Sequence, residues 1–284
     1  MTGSVHYRFE QVAPHAWAAV ALDAGAAVGN AGIADLGGRA LVVDCGFTPA
    51  GAADLRAAAE RLAGPVERLV ITHADFDHYG GAQAFADLPI LASRTTAATI
   101  AEAGPKRIAG FREEMATYLD ELEEQGAPDW EKEQGRRIVA EIPGLVLTPP
   151  TETFAGEPEL DGATVIDCGA AHTAGDGVVW FPAERVLFTG DLVGVGSHLN
   201  LTRGHPPGNW LAILDRLAAL EPAHVVPGHG PPAGPEALAA ARRYVETVVE
   251  LAATPGDHEL PSEYAAWSYP EGFHGNIDAL RGTG

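Results

Sequence analysis

The chain has 284 residues, of which 46% are hydrophobic and 20% are charged, so it can bury a large core and is not disordered throughout. Its 18 basic and 39 acidic residues give a formal net charge of −21, which would repel nucleic acid and an anionic membrane surface. Two cysteines, Cys45 and Cys168, cannot form a disulfide framework, and no apolar stretch is long enough to span a bilayer.

The first part of the chain alternates between predicted strands and one predicted helix. Short apolar runs at 16–22, 31–36 and 40–44 are separated by Gly and Asn, which is typical of strands joined by turns. Residues 50–64 have a helix-forming composition that ends at Gly-Pro. The run at 66–72 predicts a buried strand that leads directly into the segment HADFDH.

Residues 94–141 are rich in Glu, Ala, Leu and Arg, with predicted breaks at Gly104-Pro105 and at 126–128. They predict two or three helices inserted between β segments. One apolar helical face is indicated by the spacing of Phe111, Met115, Tyr118, Leu119 and Leu122. Two interpretations remain open for this insertion: ordinary packing against the body of the protein, or a lid over a site.

The second half returns to strands and ends in helices. Predicted strands lie at 145–150, 151–155, 163–169, 177–182, 185–191 and 224–230, and predicted helices at 209–222 and 235–254. The tail from 255 to 284 is expected to be loop and short helix. Two β-rich halves with helices predict an α/β fold of two facing sheets covered by helices, in a single domain over 1–284.

Four segments carry residues suited to metal chemistry: HADFDH at 73–78, AHTAGD at 171–176, FTGD at 188–191 and PGHG at 227–230. Each places a His or an Asp where a strand gives way to a loop, and such positions converge at one edge of a sheet. Asp176 is expected to cap a turn. Four histidines and three aspartates can hold two divalent cations, and the candidate ligands are His73, Asp75, Asp77, His78, His172, Asp191 and His229.

The order and spacing of these residues resemble the metallo-β-lactamase superfamily, whose usual first motif is His-x-His-x-Asp-His. The resemblance implies an αββα sandwich of two mixed sheets flanked by helices. It also implies that His73 and His172 bind one ion and that Asp191 bridges two. The second ion would then be bound by Asp77, His78 and His229.

Asp75 departs from that pattern, because the family usually has a second histidine there. Flavodiiron proteins, a branch of the same superfamily, carry a glutamate at this position. A third carboxylate lowers the net charge of a two-metal site and favours harder metals relative to Zn. Asp75 is therefore expected to bind the first ion, or else to lie beside a one-metal site. The expected cofactors are two divalent ions, Zn first, with Fe or Mn as alternatives.

The resemblance implies a metallohydrolase that uses a metal-bound hydroxide on a small intracellular ester, thioester, lactone or related substrate. Asp77 would orient the nucleophile or move its proton, and His198, in the loop after Asp191, would contact substrate or transfer a proton. No GxSxG motif is present. Two alternatives remain: a non-hydrolytic iron-dependent oxidoreductase or dioxygenase of the same superfamily, and a non-catalytic protein with a degenerate site.

The N-terminal sequence lacks the basic start and apolar run of a secretory signal, so the predicted compartment is the cytoplasm. The predicted partner is a small-molecule substrate, with neither nucleic acid nor membrane. The sequence leaves the oligomeric state open.

Overall fold

Two mixed β-sheets face each other in the computed structural model of the protein, which describes residues 3–282. The first sheet runs in chain order: β1 (Tyr7–Ala13), β2 (Ala16–Ala21), β3 (Ala31–Asp35), β4 (Ala40–Val43), β5 (Val66–Ile71), β6 (Ile90–Ser93) and β7 (Glu152–Phe154). The second comprises β8 (Glu159–Leu160), β9 (Ala163–Gly169), β10 (Asp176–Phe181), β11 (Val186–Gly194) and β12 (His224–His229). Strands β4 to β7 are parallel to one another, as are β11 and β12, and the other pairs are antiparallel.

Helices cover the outer face of each sheet. They are α1 (Pro49–Ala63), α2 (Phe76–Tyr79), α3 (Arg94–Glu114), α4 (Tyr118–Glu124), α5 (Asp129–Glu141), α6 (Pro207–Ala218), α7 (Glu236–Ala253) and α8 (Glu271–Gly282), with 3-10 turns at Gly80–Phe85 and Ile142–Gly144. Helices α1, α3 and α5 share a buried core with the first sheet, and α6, α7 and α8 share one with the second. The predicted αββα sandwich is confirmed. None of the helices described is long and apolar enough to cross a membrane.

Central strands such as β4 and β6 are buried on both faces, which explains why their sequences are continuous apolar runs. In β4, Leu41 and Val43 pack into the layer between the sheets, whereas Ala40 and Val42 pack into the layer under the helices. This alternation follows from the two-residue period of a strand. It produces three stacked apolar layers, and the central layer holds the two sheets in a constant relative position.

Three expectations about local structure are wrong. Residues 145–150 form no strand, because Pro149 and Pro150 have no N–H to donate to a ladder. The apolar spacing from Phe111 to Leu122 does not lie on one helix, since α3 ends at Glu114 and α4 begins at Tyr118. Helix α3 also continues through Pro105, where a break was expected. The insertion consists of three helices.

Gly32 tests the packing of the central layer. It lies in β3 directly under the ring of Phe188 in β11, which is only 2% exposed, and a Cβ at Gly32 would collide with that ring. Gly32→Ala should lower the free energy of unfolding by about 1–3 kcal/mol through overpacking, measured by chemical denaturation. Gly144→Ala is the matched control, because open space surrounds that position. Equal effects from the two variants would contradict the packing.

Candidate metal centre

The HADFDH segment leaves the first sheet at the carboxyl end of β5. His73 follows the strand by two residues, Asp75 is the N-cap of α2, and Asp77 and His78 lie within that helix. A short helix starting immediately after a buried strand turns these side chains toward the gap between the sheets. His73 and His78 are almost completely buried.

The second sheet supplies the other three candidate residues at the same edge. His172 lies in the loop between β9 and β10, Asp191 lies within β11, and His229 ends β12. Asp191 was expected at a strand end, but β11 continues to Gly194 past a register irregularity. Gly228 permits the close approach of β12, because a Cβ there would collide with the Asp191 carboxylate.

The structure brings all seven sequence-predicted ligands together in two groups. Within each group the potential ligand atoms lie within 4.8 Å of one another. The first group is His73, Asp75, His172 and Asp191, and the second is Asp77, His78 and His229.

Asp191 lies between the two groups. Its Oδ2 is 3.7 Å from Nε2 of His73, 3.4 Å from Nε2 of His172 and 3.4 Å from Nε2 of His229. Its Oδ1 is 3.1 Å from Nε2 of His78. A carboxylate that reaches all four imidazoles with its two oxygens is positioned to bridge a pair of cations.

Two residues beneath the site, Asp44 and Thr72, determine which ring nitrogens face it. The Thr72 hydroxyl donates to Oδ2 of Asp44 at 2.8 Å and is therefore left to accept from Nδ1–H of His73, also at 2.8 Å. Nδ1–H of His78 donates to the same Asp44 oxygen at 3.0 Å. With Nδ1 protonated in both rings, each Nε2 lone pair points into the site, as in carboxylate–histidine–metal triads.

The donor atoms fit a metal ion. Nε2 of His73, Nε2 of His78 and Oδ1 of Asp191 are buried, and none has a hydrogen-bond partner among the described residues. Buried polar atoms without partners are costly, so they usually indicate an unseen water or ion. Imidazole and carboxylate together suit Zn and other first-row divalent ions.

The electrostatics of the cluster favour positive charge. Burial alone would lower the pKa of His229, but Asp191 and Asp77 outweigh it and raise the pKa to about 10. Burial likewise opposes protonation of His78, yet Asp191, Asp77 and Asp44 raise its pKa well above the usual value. Three buried carboxylates thus hold protons on neighbouring imidazoles. Divalent cations would displace those protons, since an imidazole binds metal in its neutral form.

A cleft of about 470 Å³ opens over the two groups. Asp75, Asp77, His172, Asp191 and His229 line it. One wall is aromatic, formed by Phe47, Phe76 and Phe111, whose rings pack edge to face or tilted at 4.7–5.2 Å. Arg107 and Arg203 add two cations to the lining. Its size and mixed lining suit a small molecule.

His198 also lines this cleft, apart from both ligand groups. Its Nδ1 is 2.9 Å from the Tyr244 hydroxyl, and its ring packs among aromatic side chains, including Trp267 and Phe273. Burial lowers its pKa, so the ring is neutral near pH 7. Asp176, by contrast, accepts from the backbone of Ala171 and Thr173, as expected for a turn cap.

Sequence reasoning missed several residues around the site. Asp44 carried a local signal, because VVDCG puts an Asp after an apolar strand, as FTGD does for Asp191. Tyr269 gave no such signal; it lies at φ 62°, a left-handed conformation unusual for a side chain of this size, with its ring 6.5 Å from that of His229. Arg203, whose guanidinium contacts Asp75, gave none either.

Asp44 can be tested without assaying catalysis. Asparagine has nearly the same shape as aspartate and also tolerates the left-handed φ of 59° at position 44. Asp44→Asn weakens the hydrogen-bond acceptor that orients two histidines, so the affinity for Zn²⁺ should fall by about 10–100-fold. Competition with a chromophoric chelator measures this. Asp35→Asn is the matched control, because the Asp35 carboxylate also accepts hydrogen bonds from a backbone N–H, that of Gly38, and from a histidine ring, that of His15. These contacts lie far from the cleft. Unchanged affinity in Asp44→Asn would remove Asp44 from the metal centre.

Comparison with known proteins identifies the family of the chain. The family model of the metallo-beta-lactamase superfamily matches residues 24–229. The metallo-β-lactamase FIM-1 from Pseudomonas aeruginosa, solved in its mono-zinc form, superimposes with a TM-score of 0.62 at 20% identity, covering 86% of this chain and 96% of that one. A metallo-β-lactamase from Hirschia baltica superimposes with a TM-score of 0.59 at 20% identity, covering 84% of this chain and 98% of that one. At these identities the likeness shows the fold alone.

One curated relative comes from a different kind of enzyme. The 2,4-dinitroanisole O-demethylase subunit alpha of Nocardioides sp. (strain JS1661) is 30% identical over 112 residues. That match spans 36% of this chain and about a third, 34%, of the relative. The family match covers most of the chain and includes the whole candidate ligand set from His73 to His229. The chain belongs to the metallo-β-lactamase superfamily.

Proposed function

We propose that this protein is a metal-dependent hydrolase of a small ester, thioester, lactone or related acyl compound. One observation carries the proposal: two neighbouring His/Asp ligand groups border a cleft sized for a small molecule. Asp191, a member of the first group, also lies 3.1 Å from Nε2 of His78 and 3.4 Å from Nε2 of His229 in the second group. Membership of a largely enzymatic superfamily supports a metal-dependent hydrolase type of function. The net charge of −21 supports a substrate other than nucleic acid.

The ligand roles follow the two groups. One cation would be held by His73, Asp75 and His172, and the other would be held by Asp77, His78 and His229. Asp191 would contact both cations. When bound, divalent ions of this kind polarise a carbonyl oxygen and make a coordinated water more acidic. Zn is the proposed metal for this set.

Asp77 is the proposed proton carrier. Its Oδ2 lies 3.2 Å from Nε2 of His229 and 3.5 Å from Nε2 of His78. Asp77 lines the cleft, so its carboxylate is the proposed acceptor of a proton from water. Burial would raise the pKa of Asp77, but the two imidazoles lower it well below its usual value. The carboxylate is therefore ionised at neutral pH and able to accept.

The wall of the cleft would select the substrate. Phe47, Phe76 and Phe111 offer an apolar surface for an acyl or aryl group, while Arg107 offers a cation. His198, neutral and on the same lining, is the proposed substrate contact. Since α3 supplies both Arg107 and Phe111, the insertion 94–141 is proposed to act as a lid over the bound substrate.

The cysteines offer no competing nucleophile. Burial raises the pKa of the Cys45 thiol well above its usual value and that of Cys168 to about 12, so neither is a thiolate at neutral pH. Neither lines the cleft in the part of the chain that the structure describes. Direct attack by water is consistent with this absence.

The metal requirement gives the first test. As-isolated protein should contain up to two equivalents of Zn and hydrolyse at least one compound in a panel of esters, thioesters, lactones and phosphoesters. Chelation should abolish turnover, and added Zn²⁺ should restore it. Elemental analysis paired with a spectrophotometric assay measures both. Metal-loaded protein that hydrolyses none of these compounds would refute the hydrolase proposal.

Substitution of ligands gives the second test. Asp191→Ala and His172→Ala should each lower kcat/KM by about 1000-fold or more, as loss of a member of a catalytic unit does. Their folds should persist, because the three apolar layers are untouched. His15→Ala is the control, since this exposed histidine pairs with Asp35 away from the cleft. Circular dichroism verifies folding, and turnover retained in both ligand variants would remove these residues from the site.

An iron-dependent oxidoreductase is the second candidate. The observation that favours it is the 2-His-1-carboxylate set of His73, His172 and Asp75, in which Oδ2 of Asp75 lies 2.8 Å from Nε2 of His172. Protein isolated with more than one equivalent of Fe and consuming O₂ would favour this candidate over Zn-dependent hydrolysis.

A further inference from the structure

Asp75 has an arginine partner, which the other carboxylates of the ligand set lack among the described residues. Nη2 of Arg203 lies 2.5 Å from Oδ2 of Asp75, the same oxygen that lies 2.8 Å from Nε2 of His172. Among the described residues, Arg203 is the one lysine or arginine in ion-pair contact with the set. Its side chain is 36% exposed, against 19% for Asp75, so the pair lies at the mouth of the cleft.

The loop that carries Arg203 is anchored by the C-terminal part of the chain. The loop between β11 and α6 carries Arg203, and the fully buried Asn276 of α8 clamps that loop. Oδ1 of Asn276 accepts from the backbone N–H of Leu201 at 2.7 Å, and its Nδ2 donates to the carbonyl of Leu199 at 2.6 Å. Arg203 therefore projects from an anchored segment.

The net charge of the Asp75–Arg203 pair explains how an aspartate can replace the usual histidine in the first ligand group. The resemblance to the superfamily expects a neutral histidine at position 75, and Asp75 adds one negative charge. Arg203 adds one positive charge on the same oxygen, so that the pair is formally neutral, as a histidine would be. A cation bound beside Asp75 would also be repelled by the guanidinium, over a distance at which charges in a protein interact strongly.

We propose that Arg203 offsets the charge of Asp75 and thereby weakens cation binding at the His73–Asp75–His172 group relative to the Asp77–His78–His229 group. The guanidinium of Arg203 binds one oxygen of the Asp75 carboxylate, and its positive charge repels a divalent cation bound nearby. Arg203 is thus a positioning residue that sets the difference in affinity between the two groups. The proposal rests on the ligand roles given above and is independent of hydrolysis.

Zn²⁺ binding to the full chain tests this directly. Stepwise dissociation constants for the two Zn²⁺ ions are measured by competition with a chelator for the wild-type protein and for Arg203→Met, Arg203→Gln and Arg203→Lys. Charge offset predicts that the Met and Gln variants bind the weaker Zn²⁺ about 10-fold tighter or more, because the repulsion between the guanidinium and the bound dication is removed. The Lys variant should stay close to wild type. Weaker or unchanged binding in the Met and Gln variants would overturn the proposal.

A double-mutant cycle and a control isolate the pair. Asp75→Asn should weaken the same constant, because Arg203 is then left uncompensated, and adding Arg203→Met should recover part of the loss. Arg107→Met is the matched control, since Arg107 lines the same cleft without an ion pair to the described ligand set. An equal gain in Arg107→Met would refute a specific role for Arg203.

The assignment to the first group is tested in a His229→Ala background, which removes a ligand of the second group and leaves the first intact. The Arg203→Met effect on Zn²⁺ affinity should persist there. Its disappearance would place the effect on the second group and contradict the proposal. Because no arm requires turnover, failure of the hydrolase assay leaves this result standing. Wild-type protein that binds no Zn²⁺ would overturn both proposals.

Discussion

The carboxylate of Asp191 is the point on which the site depends. It lies between 3.1 and 3.7 Å from Nε2 of each of the four histidines, two of which come from each sheet. A buried carboxylate surrounded by imidazoles is stable only with positive charge nearby, supplied by protons or by metal ions. The relative position of the two sheets therefore decides whether one charge can be shared among the four rings.

The parts of the protein that hold the ligands differ from those that surround the substrate space. Asp44 and Thr72, buried at the ends of strands of the first sheet, orient the rings of His73 and His78. Apart from Phe47 and Phe76, which lie next to ligand-bearing segments, the walls of the cleft come mainly from α3, from the loop after β11 and from the C-terminal segment. The solved metallo-β-lactamases share the fold with this chain at about 20% identity. Since a fold does not determine function, the reaction partner depends on these walls.

The fold was largely predictable because its strands and helices have local patterns. Short apolar runs such as ALVV in β4 and ILAS in β6, in which every residue is buried, indicate strands buried on two faces. The insertion at 94–141 was recognisable as helical, but its helix boundaries were not. Apolar spacing continues across the break between Glu114 and Tyr118 although Phe111 of α3 packs into the core of the first sheet and Leu122 of α4 packs beside Gly135 of α5. The regular spacing of apolar residues indicates which residues are buried, but it does not indicate whether they belong to one continuous helix.

The sequence by itself predicted the seven candidate ligands, because they stand near the ends of predicted apolar strands, which converge at a sheet edge, and because their order and spacing resemble the superfamily. Only the tertiary structure decided what surrounds them. Arg203 and Asp75 are 128 positions apart, and Asn276, which anchors the loop of Arg203, lies 75 positions beyond Leu201. Contacts of this range leave no periodic trace in the sequence, since they depend on how loops and the C-terminal helix pack over the finished sandwich.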